Sequence, residues 1–590
     1  MGAVLGTLAL PFVIGLLVAL GATFACEAVA LRIGLVTRPR EDRWHRQTIP
    51  LLGGVAIMLG ALAALALIPS AVGRFGGFLV AALIIGGAGL VDDVVTLRPQ
   101  AKLVVQIVLA AVLIQFGFVL GLTDHPVVNL FLTLFWIVGI TNAFNLLDNM
   151  DGLAAGMALI VGSFRLVFFL MDGDATGAAV TAGFVGAVAA FLVRNFPPAK
   201  IFMGDAGSLF IGFFLGGLCL GGQYYSRGIA AVLVFPVLLM LIPIFDTTFV
   251  TLTRLVTGRP VSQGGRDHTS HRLVSLGISE RQALGFLCGV SVLAGLLATF
   301  SYQYGFTYTV VLLALLLVGL FLLGVYLSRV QVIRVAGTLP AESRIVRLAA
   351  DFPFKRQVAT VMIDLVLIVA AYYAAYLLRF EAAFDVYRET FFRTVAPVII
   401  IQVSAMALSG SYRGLWRYTS LPELVRLLRG ATLGSSATVL YMLFTTRFEN
   451  LSRAVFILDW LLLVVFLSGS RASFRVFAEL LRPARTDFRR VLIYGAGDGG
   501  ELTLRELRKN SGLRREAVGF LDDDPAKAGT RIHGVPVLGG VETADGLVAR
   551  YGVAEVIVAS DRISVARVQR LETICAARGI RVVRAALRIE

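Results

Sequence analysis

Charged residues are scarce in this chain of 590 residues, because Asp, Glu, Lys and Arg make up only 15% of it. Typical soluble proteins are about 25% charged. The apolar fraction is 57%, so both a single soluble enzyme and a disordered chain are excluded. Acidic residues are the rarer sign, 38 against 53 Lys and Arg, which gives a net charge of +15. The basic residues fall mainly in loops between apolar runs, which indicates membrane topology and not nucleic-acid binding.

Cysteine is also scarce. The four cysteines have no partner at metal-ligand spacing and form no disulfide framework, so we interpret them as small buried side chains. We expect no cleaved signal peptide, because the first basic residue, Arg32, follows the first apolar stretch instead of preceding it. Residues 4–31 therefore predict a retained membrane helix.

Apolar runs of about 16–23 residues, each roughly long enough to cross a bilayer, follow one another along most of the chain. Eleven of them lie in residues 1–327, and a cytosolic basic linker, 328–356, separates these from four more in 357–483. Lys and Arg alternate between rich loops, such as 32–50 and 251–281, and poor ones. The positive-inside rule puts the rich loops and the C-terminus in the cytoplasm. The sequence therefore predicts a polytopic α-helical protein of a bacterial-type inner membrane, with about fifteen transmembrane helices, eleven plus four.

Residues 484–590 have a different pattern, with no run long enough to span a bilayer. Short β-rich runs alternate there with polar, helix-like segments. These runs are 490–494, 517–521, 535–538 and 555–559, with 581–584 as a further candidate. This alternation predicts a C-terminal cytosolic Rossmann-like α/β domain with a parallel sheet.

Six carboxylates lie at predicted helix ends on the cytoplasmic face, where ionised groups are expensive and usually functional. They are Asp92, Asp93, Asp148, Asp151, Asp205 and Asp246. Three of the five histidines, His45, His268 and His271, fall on the same face. Convergent carboxylates suit Mg²⁺, which takes oxygen ligands and leaves room for substrate phosphates. This set predicts phosphoryl chemistry between a charged soluble substrate and an acceptor dissolved in the membrane.

Five motifs follow one another between residues 43 and 272. They are Arg43-Trp44-His45; Asp92-Asp93 with Lys102; Asn142-x-x-Asn145-x-x-Asp148-x-x-Asp151-Gly152; Asn195 with Phe202-Met203-Gly204-Asp205-x-Gly207; and Asp246-Thr247 with Gly265-Arg266-Asp267-His268-x-x-His271-Arg272. In this order they resemble the polyprenyl-phosphate N-acetylhexosamine-1-phosphate transferases, a family of glycosyltransferase 4 type. The resemblance covers residues 1–325.

The resemblance implies that a UDP-sugar gives its sugar-1-phosphate to undecaprenyl phosphate and that UMP leaves, as the first step of surface-polysaccharide synthesis. It implies Asp205 and Asn145 as ligands of Mg²⁺, with Mn²⁺ as the alternative. Catalytic roles would belong to Asp92, Asp93, Asp148 and Asp151, and one of the first two would deprotonate or orient the lipid phosphate. Substrate contacts would come from His45, Lys102, Asn142, Asn195, Asp246, His268, His271 and Arg272. The spacing His268-x-x-His271 differs from the adjacent histidines of the muramoyl-pentapeptide branch and favours an N-acetylglucosamine-type donor.

Two functions of other classes stay open at this point. One is a transporter or flippase, which is disfavoured because no inverted repeat is visible and the acids lie at helix ends instead of the midplane. The other is a non-catalytic scaffold, which complete acidic motifs disfavour. The expected partners are the two substrates and membrane lipids, without nucleic acid. A homodimer and association with other polysaccharide-synthesis enzymes are both left open.

Residues 353–590 resemble a second family, the membrane-bound nucleotide-sugar dehydratases and epimerases, in their first membrane and nucleotide-binding-like part. The matching segments are Tyr412-Arg413-Gly414-Leu415-Trp416-Arg417-Tyr418, Val491 to Gly500, and Phe520 to Pro525. The family's catalytic Tyr-x-x-x-Lys does not occur in the sequence, so the resemblance implies no dehydratase activity. It implies a regulatory, nucleotide-binding or docking module.

The sequence Gly495-x-Gly497-x-x-Gly500 follows a predicted strand and opens a helix, a context in which a backbone can approach a pyrophosphate. Asp522 or Asp523 ends the next strand, where an acid can bond ribose hydroxyls. The same residues fit a tight turn that only packs a helix on a sheet. Binding of a nucleotide or NAD and a purely structural turn both stay open.

Overall fold

The computed structural model describes residues 2–37, 48–221, 229–257, 259, 265, 267–328, 355–412, 421–449, 451–481, 488–509, 515–560 and 563–585. These residues form two compact units, Met1–Arg482 and Pro483–Glu590.

The first unit is helical up to residue 328. Its helices are α1 (Gly2–Ile33), α2 (Gly53–Leu65), α3 (Pro69–Val95), α4 (Pro99–Gln115), α5 (Pro126–Leu147), α6 (Leu153–Met171), α7 (Ala175–Asn195), α8 (Gly204–Leu218), α9 (Ile229–Leu239), α10 (Leu241–Val256), α11 (Thr269–Ser275), α12 (Glu280–Tyr304) and α13 (Phe306–Ser328). Two short strands, β1 (Val36–Thr37) and β2 (Ile49–Pro50), pair antiparallel after α1. Pro69, Pro99 and Pro126 begin α3, α4 and α5, where a missing N–H breaks no helical bond.

Eleven helices in the described part of the chain are long and apolar enough to cross a membrane, seven before residue 329 and four after residue 354. The protein is therefore a multi-pass membrane protein. The segments α2, α4 and α8 have only 13, 17 and 15 residues. Pro236 lies in α9, and the helix is interrupted at Met240 before α10 begins. The span predicted near 228–250 is therefore two short helices. The total of about fifteen spans depends on these shorter segments and stays a prediction.

Glycines allow α2 and α3 to approach the backbone at the start of α8 closely. A Cβ added at Gly54 of α2 would lie 2.2 Å from the backbone nitrogen of Gly207 in α8, and one added at Gly89 of α3 would lie 2.4 Å from the carbonyl oxygen of Asp205. Small residues let membrane helices pack closely, as here where α2 and α3 contact the start of α8.

Residues 355–480 form a second set of four helices. These are α14 (Lys355–Phe380), α15 (Phe384–Leu408), α16 (Leu421–Thr446) and α17 (Arg453–Leu480). They pack on α13, where the Tyr326 ring lies 5.8 Å from the rings of both Phe474 and Phe477. Inside the set, Arg471 donates to the Asp364 carboxylate over 2.6 Å, and both side chains are buried.

The second unit is a parallel α/β sheet. Its elements are β3 (Arg489–Tyr494), α18 (Asp498–Lys509), β4 (Arg515–Leu521), β5 (Arg531–Ile532), β6 (Val535–Gly539), α19 (Ala544–Tyr551), β7 (Glu555–Val558), α20 (Val565–Ala576) and β8 (Arg581–Arg584). The strand order is β5-β6-β4-β3-β7-β8, parallel except for the β5–β6 pair. The α/β character predicted for this region is confirmed, because every predicted strand lies within one to two residues of an observed one.

The Asp364–Arg471 pair gives a test of the four-helix packing. Asp364→Asn leaves the Arg471 guanidinium buried without its counter-ion, and we expect a loss of about 3 kcal/mol or more of stability. Arg393→Gln is the matched control, because its pair with Glu389 is 77% exposed on both sides and contributes about 0.5 kcal/mol. Thermal unfolding of the detergent-solubilised protein measures both. Equal unfolding temperatures for the two variants would contradict the assignment of a buried ion pair.

Candidate active site

Lys102 joins two carboxylates from different helices. Its Nζ lies 2.7 Å from Oδ2 of Asp92, at the end of α3, and 3.0 Å from Oδ2 of Asp205, at the start of α8. Lys102 itself lies in the first turn of α4, which begins four residues after α3 ends. Two carboxylates therefore point at one position that a cation occupies, and the ammonium is held there by residues distant in sequence.

Asp93 has a different role from its neighbour. Its two carboxylate oxygens accept the backbone N–H groups of Asp205, at 2.8 Å, and Ala206, at 3.0 Å. These N–H groups belong to the first turn of α8, so Asp93 caps this helix from α3. Gly204 precedes them with φ +67°, and a Cβ there would lie 2.4 Å from Asp93. Glycine at this position lets the cap approach.

Asn145 on α5 completes the group around Asp205. Its Nδ2 donates to Oδ1 of Asp205 and to the Ser208 hydroxyl, both at 2.9 Å. One turn earlier on the same helix, Asn142 donates to Oε1 of Gln106 at 2.7 Å. Since Gln106 is one turn after Lys102 on α4, α4 and α5 are linked beside the carboxylates.

Asp151 and Asn195 hold the loops that follow α5 and α7. Oδ2 of Asp151, which is buried, accepts the N–H of Ala199 at 2.8 Å. Asn195 accepts the N–H of Gly152 at 3.0 Å and donates to the carbonyl of Ile201 at 2.9 Å. Asp148 directly follows the last residue of α5 and is half-buried. In this arrangement Asp151 and Asn195 position backbone, and the catalytic and substrate-contact roles that the resemblance implies for them stay predictions.

Asp246 orients His268. Its Oδ2 lies 2.8 Å from Nδ1 of His268, and its Oδ1 accepts the N–H of Thr269 at 2.7 Å. All three residues are buried, and the His271 ring lies 6.2 Å from the His268 ring. A carboxylate on Nδ1 fixes the imidazole and leaves Nε2 as the atom that can meet another group.

The segment before α11 is braced by arginines. Arg254 of α10 donates twice to Asp267, over 2.8 and 2.7 Å. Burial raises the pKa of Asp267, but the Arg254 guanidinium outweighs it and brings this pKa below its ordinary value. Arg272 donates to the carbonyls of Asp267, at 2.9 Å, and Leu327, at 3.0 Å. These two bonds fix the guanidinium against backbone, and the diphosphate contact that the resemblance implies for Arg272 stays a prediction.

One hydrogen bond between α11 and the loop after α5 was not anticipated from the sequence. The Ser270 hydroxyl donates to Oδ1 of Asn149 at 2.6 Å and so ties α11 to the loop after α5. Asn149 lies between Asp148 and Asp151, and this position inside the motif was the available signal. Two predicted residues cannot be placed in this way, since His45 and Arg266 lie outside the described residues.

Comparison with known proteins matches this part of the chain. A family model described as glycosyl transferase family 4 matches residues 75–223, which include Asp92, Lys102, Asn145 and Asp205. A probable undecaprenyl-phosphate N-acetylglucosaminyl 1-phosphate transferase of Bacillus subtilis (strain 168) is 34% identical over 305 residues, which are 48% of this chain and 83% of that protein. The chain belongs to glycosyl transferase family 4. The resemblance found in the sequence is confirmed.

Two further relatives have similar coverage. The decaprenyl-phosphate N-acetylglucosaminephosphotransferase of Mycolicibacterium smegmatis is 34% identical over 45% of this chain and 74% of its own length. The undecaprenyl-phosphate alpha-N-acetylglucosaminyl 1-phosphate transferase of Salmonella typhi is 28% identical over 52% of this chain and 87% of its own length. A second family model, described as a CoA-binding domain, matches residues 407–586. Each of the three relatives matches about half of this chain.

The donors in this family 4 site fit a magnesium ion only together with a substrate. Among the described residues no group of three or more His, Cys, Asp or Glu side chains is arranged to hold a metal. Mg²⁺ is commonly bound by one or two carboxylates together with substrate phosphates and water. Asp205 is one such carboxylate, and the amide of Asn145, which lies 2.9 Å from it, carries a second hard oxygen donor. The residues present therefore fit Mg²⁺ carried in with a diphosphate.

The glycine-rich turn of the second unit lies at the carboxyl end of β3, between β4 on one side and β7 on the other. The order in which successive strands are added to the sheet changes side at β3. Open α/β sheets bind ligands at such a switch point. Gly495 has φ +106°, and a Cβ on Gly500 would lie 2.0 Å from the Gly495 carbonyl oxygen. A Cβ on Gly497 would meet no described atom within 4 Å, so space lies in front of the turn.

The two carboxylates at the end of β4 contact this turn and its surroundings. Oδ2 of Asp522 accepts the N–H of Ala496 at 2.7 Å and lies 3.0 Å from Nζ of Lys527. Burial raises the pKa of Asp522, but the N–H groups of Asp524 and Ala496 and the Lys527 ammonium bring it below its ordinary value. Asp523 accepts the Tyr494 hydroxyl and the N–H of Val541. Asp522 is therefore the carboxylate at the turn, and Asp523 fixes the loop after β6.

The capping role of Asp93 gives a prediction for the transferase site. Asp93→Ala removes both acceptors at the start of α8, and we expect a stability loss of about 1 kcal/mol together with reduced turnover. Asp93→Asn keeps one acceptor oxygen, so its stability and turnover should lie between those of Asp93→Ala and the natural protein. Glu389→Gln, an exposed carboxylate of the four-helix set outside the site, is the control, and its turnover and unfolding temperature should both change little. An Asp93→Ala protein of unchanged thermal stability would contradict the cap.

Proposed function

We propose that the protein transfers a HexNAc-1-phosphate from a UDP-sugar to undecaprenyl phosphate, with release of UMP, and so starts the synthesis of a cell-wall, O-antigen or other surface polysaccharide. The observation that carries the proposal is the convergence of Asp92 and Asp205 on Lys102, with Asn145 bonded to Asp205, in a family 4 chain. The named activities of the relatives support the same reaction. The basic loops support a cytoplasmic active face.

The reaction exchanges one phosphoanhydride for another, so the main obstacle is the repulsion between two anionic substrates. An oxygen of the lipid phosphate forms the new bond to the phosphorus that carries the sugar. The bond from this phosphorus to the bridging oxygen breaks, and UMP leaves with that oxygen and its electron pair. Positioning and charge stabilisation dominate catalysis of this kind of transfer.

Each residue of the site contributes through its charge and position. Lys102 supplies a fixed positive charge between the two carboxylates, where it can offset anionic phosphate. Either Asp92 or Asp93 would accept a proton from the lipid phosphate or orient it, since each carboxylate accepts two hydrogen bonds in this structure. Asp205 and Asn145 would hold Mg²⁺, which when bound lowers the charge repulsion of the diphosphate.

The donor is proposed to be of the N-acetylglucosamine type. His268, fixed through Nδ1 by Asp246, can present Nε2 to the donor diphosphate, and His271 lies beside it. The relatives named as N-acetylglucosamine-phosphate transferases support this choice of sugar.

The central test measures UMP release in detergent from UDP-N-acetylglucosamine, undecaprenyl phosphate and Mg²⁺. We expect release to need the lipid, to stop with EDTA and to return with Mg²⁺ or Mn²⁺. Asp205→Asn should lower the rate about 100-fold or more, because it removes charge stabilisation at the transferred group. The exposed Glu389→Gln, in the four-helix set, should keep the natural rate. Absence of UMP release with any UDP-sugar would favour a transporter or scaffold instead.

For the second unit we propose a regulatory or docking role based on nucleotide binding at the turn Gly495–Gly500. The turn lies at the switch point of the sheet, with open space at Gly497 and the ionised Asp522 beside it. Candidate ligands are NAD, another nucleotide or the nucleotide sugar itself.

Calorimetric titration of the full chain with NAD, UMP and UDP-N-acetylglucosamine tests this role. Gly497→Val fills the open space in front of the turn without meeting a described protein atom, and we expect it to weaken binding about tenfold or more. Asp545→Ala, an exposed carboxylate of the same unit, is the control and should bind normally. The same titrations in the Asp205→Asn variant distinguish binding at the transferase site from binding at the turn. Identical affinity in Gly497→Val and the natural protein would reject the turn as the site.

A further inference from the structure

A layer of buried oxygen atoms crosses the four-helix set α14–α17. Each helix contributes to it, and every contributing side chain is at most 6% exposed. The residues are Tyr372 and Tyr376 on α14, Thr394 on α15, Thr438 on α16 and Asp459 on α17. The transferase site does not include any of them.

Helix geometry puts these residues at one level. Tyr372 lies eight residues before the end of α14, and Thr438 eight before the end of α16, so each is about 12 Å from that helix end. Asp459 lies six residues into α17, about 9 Å from its start. Contacts agree, since the Tyr372 hydroxyl donates to Thr394 at 2.8 Å and lies 3.4 Å from the Tyr376 hydroxyl. The Asp459 carboxylate acts electrostatically on Tyr372.

Asp459 is the charged member of this layer and lacks a hydrogen-bond partner. Within the described residues, Oδ1 of Asp459 and Oγ1 of Thr438 are buried and meet no donor or acceptor. Such burial is expensive for an ionised carboxyl unless a cation accompanies it. Asp364 shows the ordinary solution in the same helices, because Arg471 donates to it at 2.6 Å.

The neighbouring charged groups do not supply that cation. Arg471 lies twelve residues further along α17, about 18 Å by helical rise, and is paired with Asp364. Arg453 lies six residues before Asp459, and its guanidinium is over the Phe448 ring. Arg379, in the last turn of α14, donates to the Ser452 hydroxyl at 3.0 Å, just before α17 begins. On α15, Glu389 and Arg393 are exposed and pair with each other, and Asp385 and Arg388 lie near the helix start. Glu423, Arg426 and Arg429 lie in the first ten residues of α16, and α13 contains no charged residue.

We propose that this layer is a monovalent cation site, in which Asp459 and the hydroxyls of Thr438, Tyr372 and Thr394 at the same level of the four helices take up a proton or a sodium ion. The donors are all oxygens, which suits a hard cation, and their single negative charge is neutralised by one positive charge. An intramembrane carboxyl of this kind is by default functional and not structural. The site is separate from the transferase centre, and its cation is exchanged without any covalent step.

Labelling with dicyclohexylcarbodiimide, which attacks protonated carboxyls in apolar surroundings, tests the site in the full-length protein in nanodiscs. Peptide mass spectrometry measures modification of Asp459, with Asp364 as the internal control. We expect Asp459 to react and the ion-paired Asp364 not to react. Saturating sodium chloride, compared with choline chloride of equal ionic strength, should slow labelling about tenfold or more if sodium binds. If the site takes only a proton, alkaline buffer should slow labelling and sodium should not.

Two outcomes would overturn the proposal. One is an unreactive Asp459 at every pH and salt composition in the folded protein. The other is labelling whose rate changes with neither pH nor sodium. Thr438→Val provides the second variant, since it keeps the shape of the side chain and removes one oxygen. It should raise the cation concentration, or the proton concentration, needed for half-maximal effect about fivefold or more while transferase activity stays unchanged. An unchanged half-maximal concentration would remove Thr438 from the site.

Discussion

The charge balance at Lys102 is the interaction on which the transferase site depends. In a chain where charged residues are few and most helices are apolar, each ionised group needs a partner of opposite charge or several hydrogen bonds. Lys102 satisfies Asp92 and Asp205 together, and Asp93 is satisfied by the N–H groups of α8. These contacts fix the ends of α3, α4 and α8 relative to one another. Catalytic geometry and helix packing are therefore produced by the same few bonds.

The sequence predicted much of the secondary structure, because the signals are local. Apolar length marked the helices, and the strands of the second unit lie where alternating β-rich segments predicted them. The residues that meet around Asp205 were also in the predicted set, since charges at helix ends are rare in such a chain. The number of membrane-spanning helices was harder to predict. The helices α2 and α8 are shorter than the apolar runs around them, and α9 ends near Pro236.

Individual roles could not be predicted, because they depend on contacts between residues far apart in sequence. Asp92 and Asp93 are adjacent, yet one meets an ammonium and the other caps a helix that begins more than one hundred residues later. Asp246 turns out to orient His268, and Arg272 bonds to backbone carbonyls. Asp459 was not singled out from the sequence, because only the packing of four helices reveals that its buried carboxylate lacks a hydrogen-bond partner.

The cap on α8 has a consequence for how such proteins diverge. A carboxylate that binds substrate can be lost once a descendant no longer needs the reaction, whereas a carboxylate that closes a helix terminus stays under selection for folding. A relative that has given up catalysis should therefore retain Asp93 and Gly204 and vary at residues that contact only substrate. The presence of an Asp-Asp pair in a genome sequence is thus weak evidence for an active enzyme.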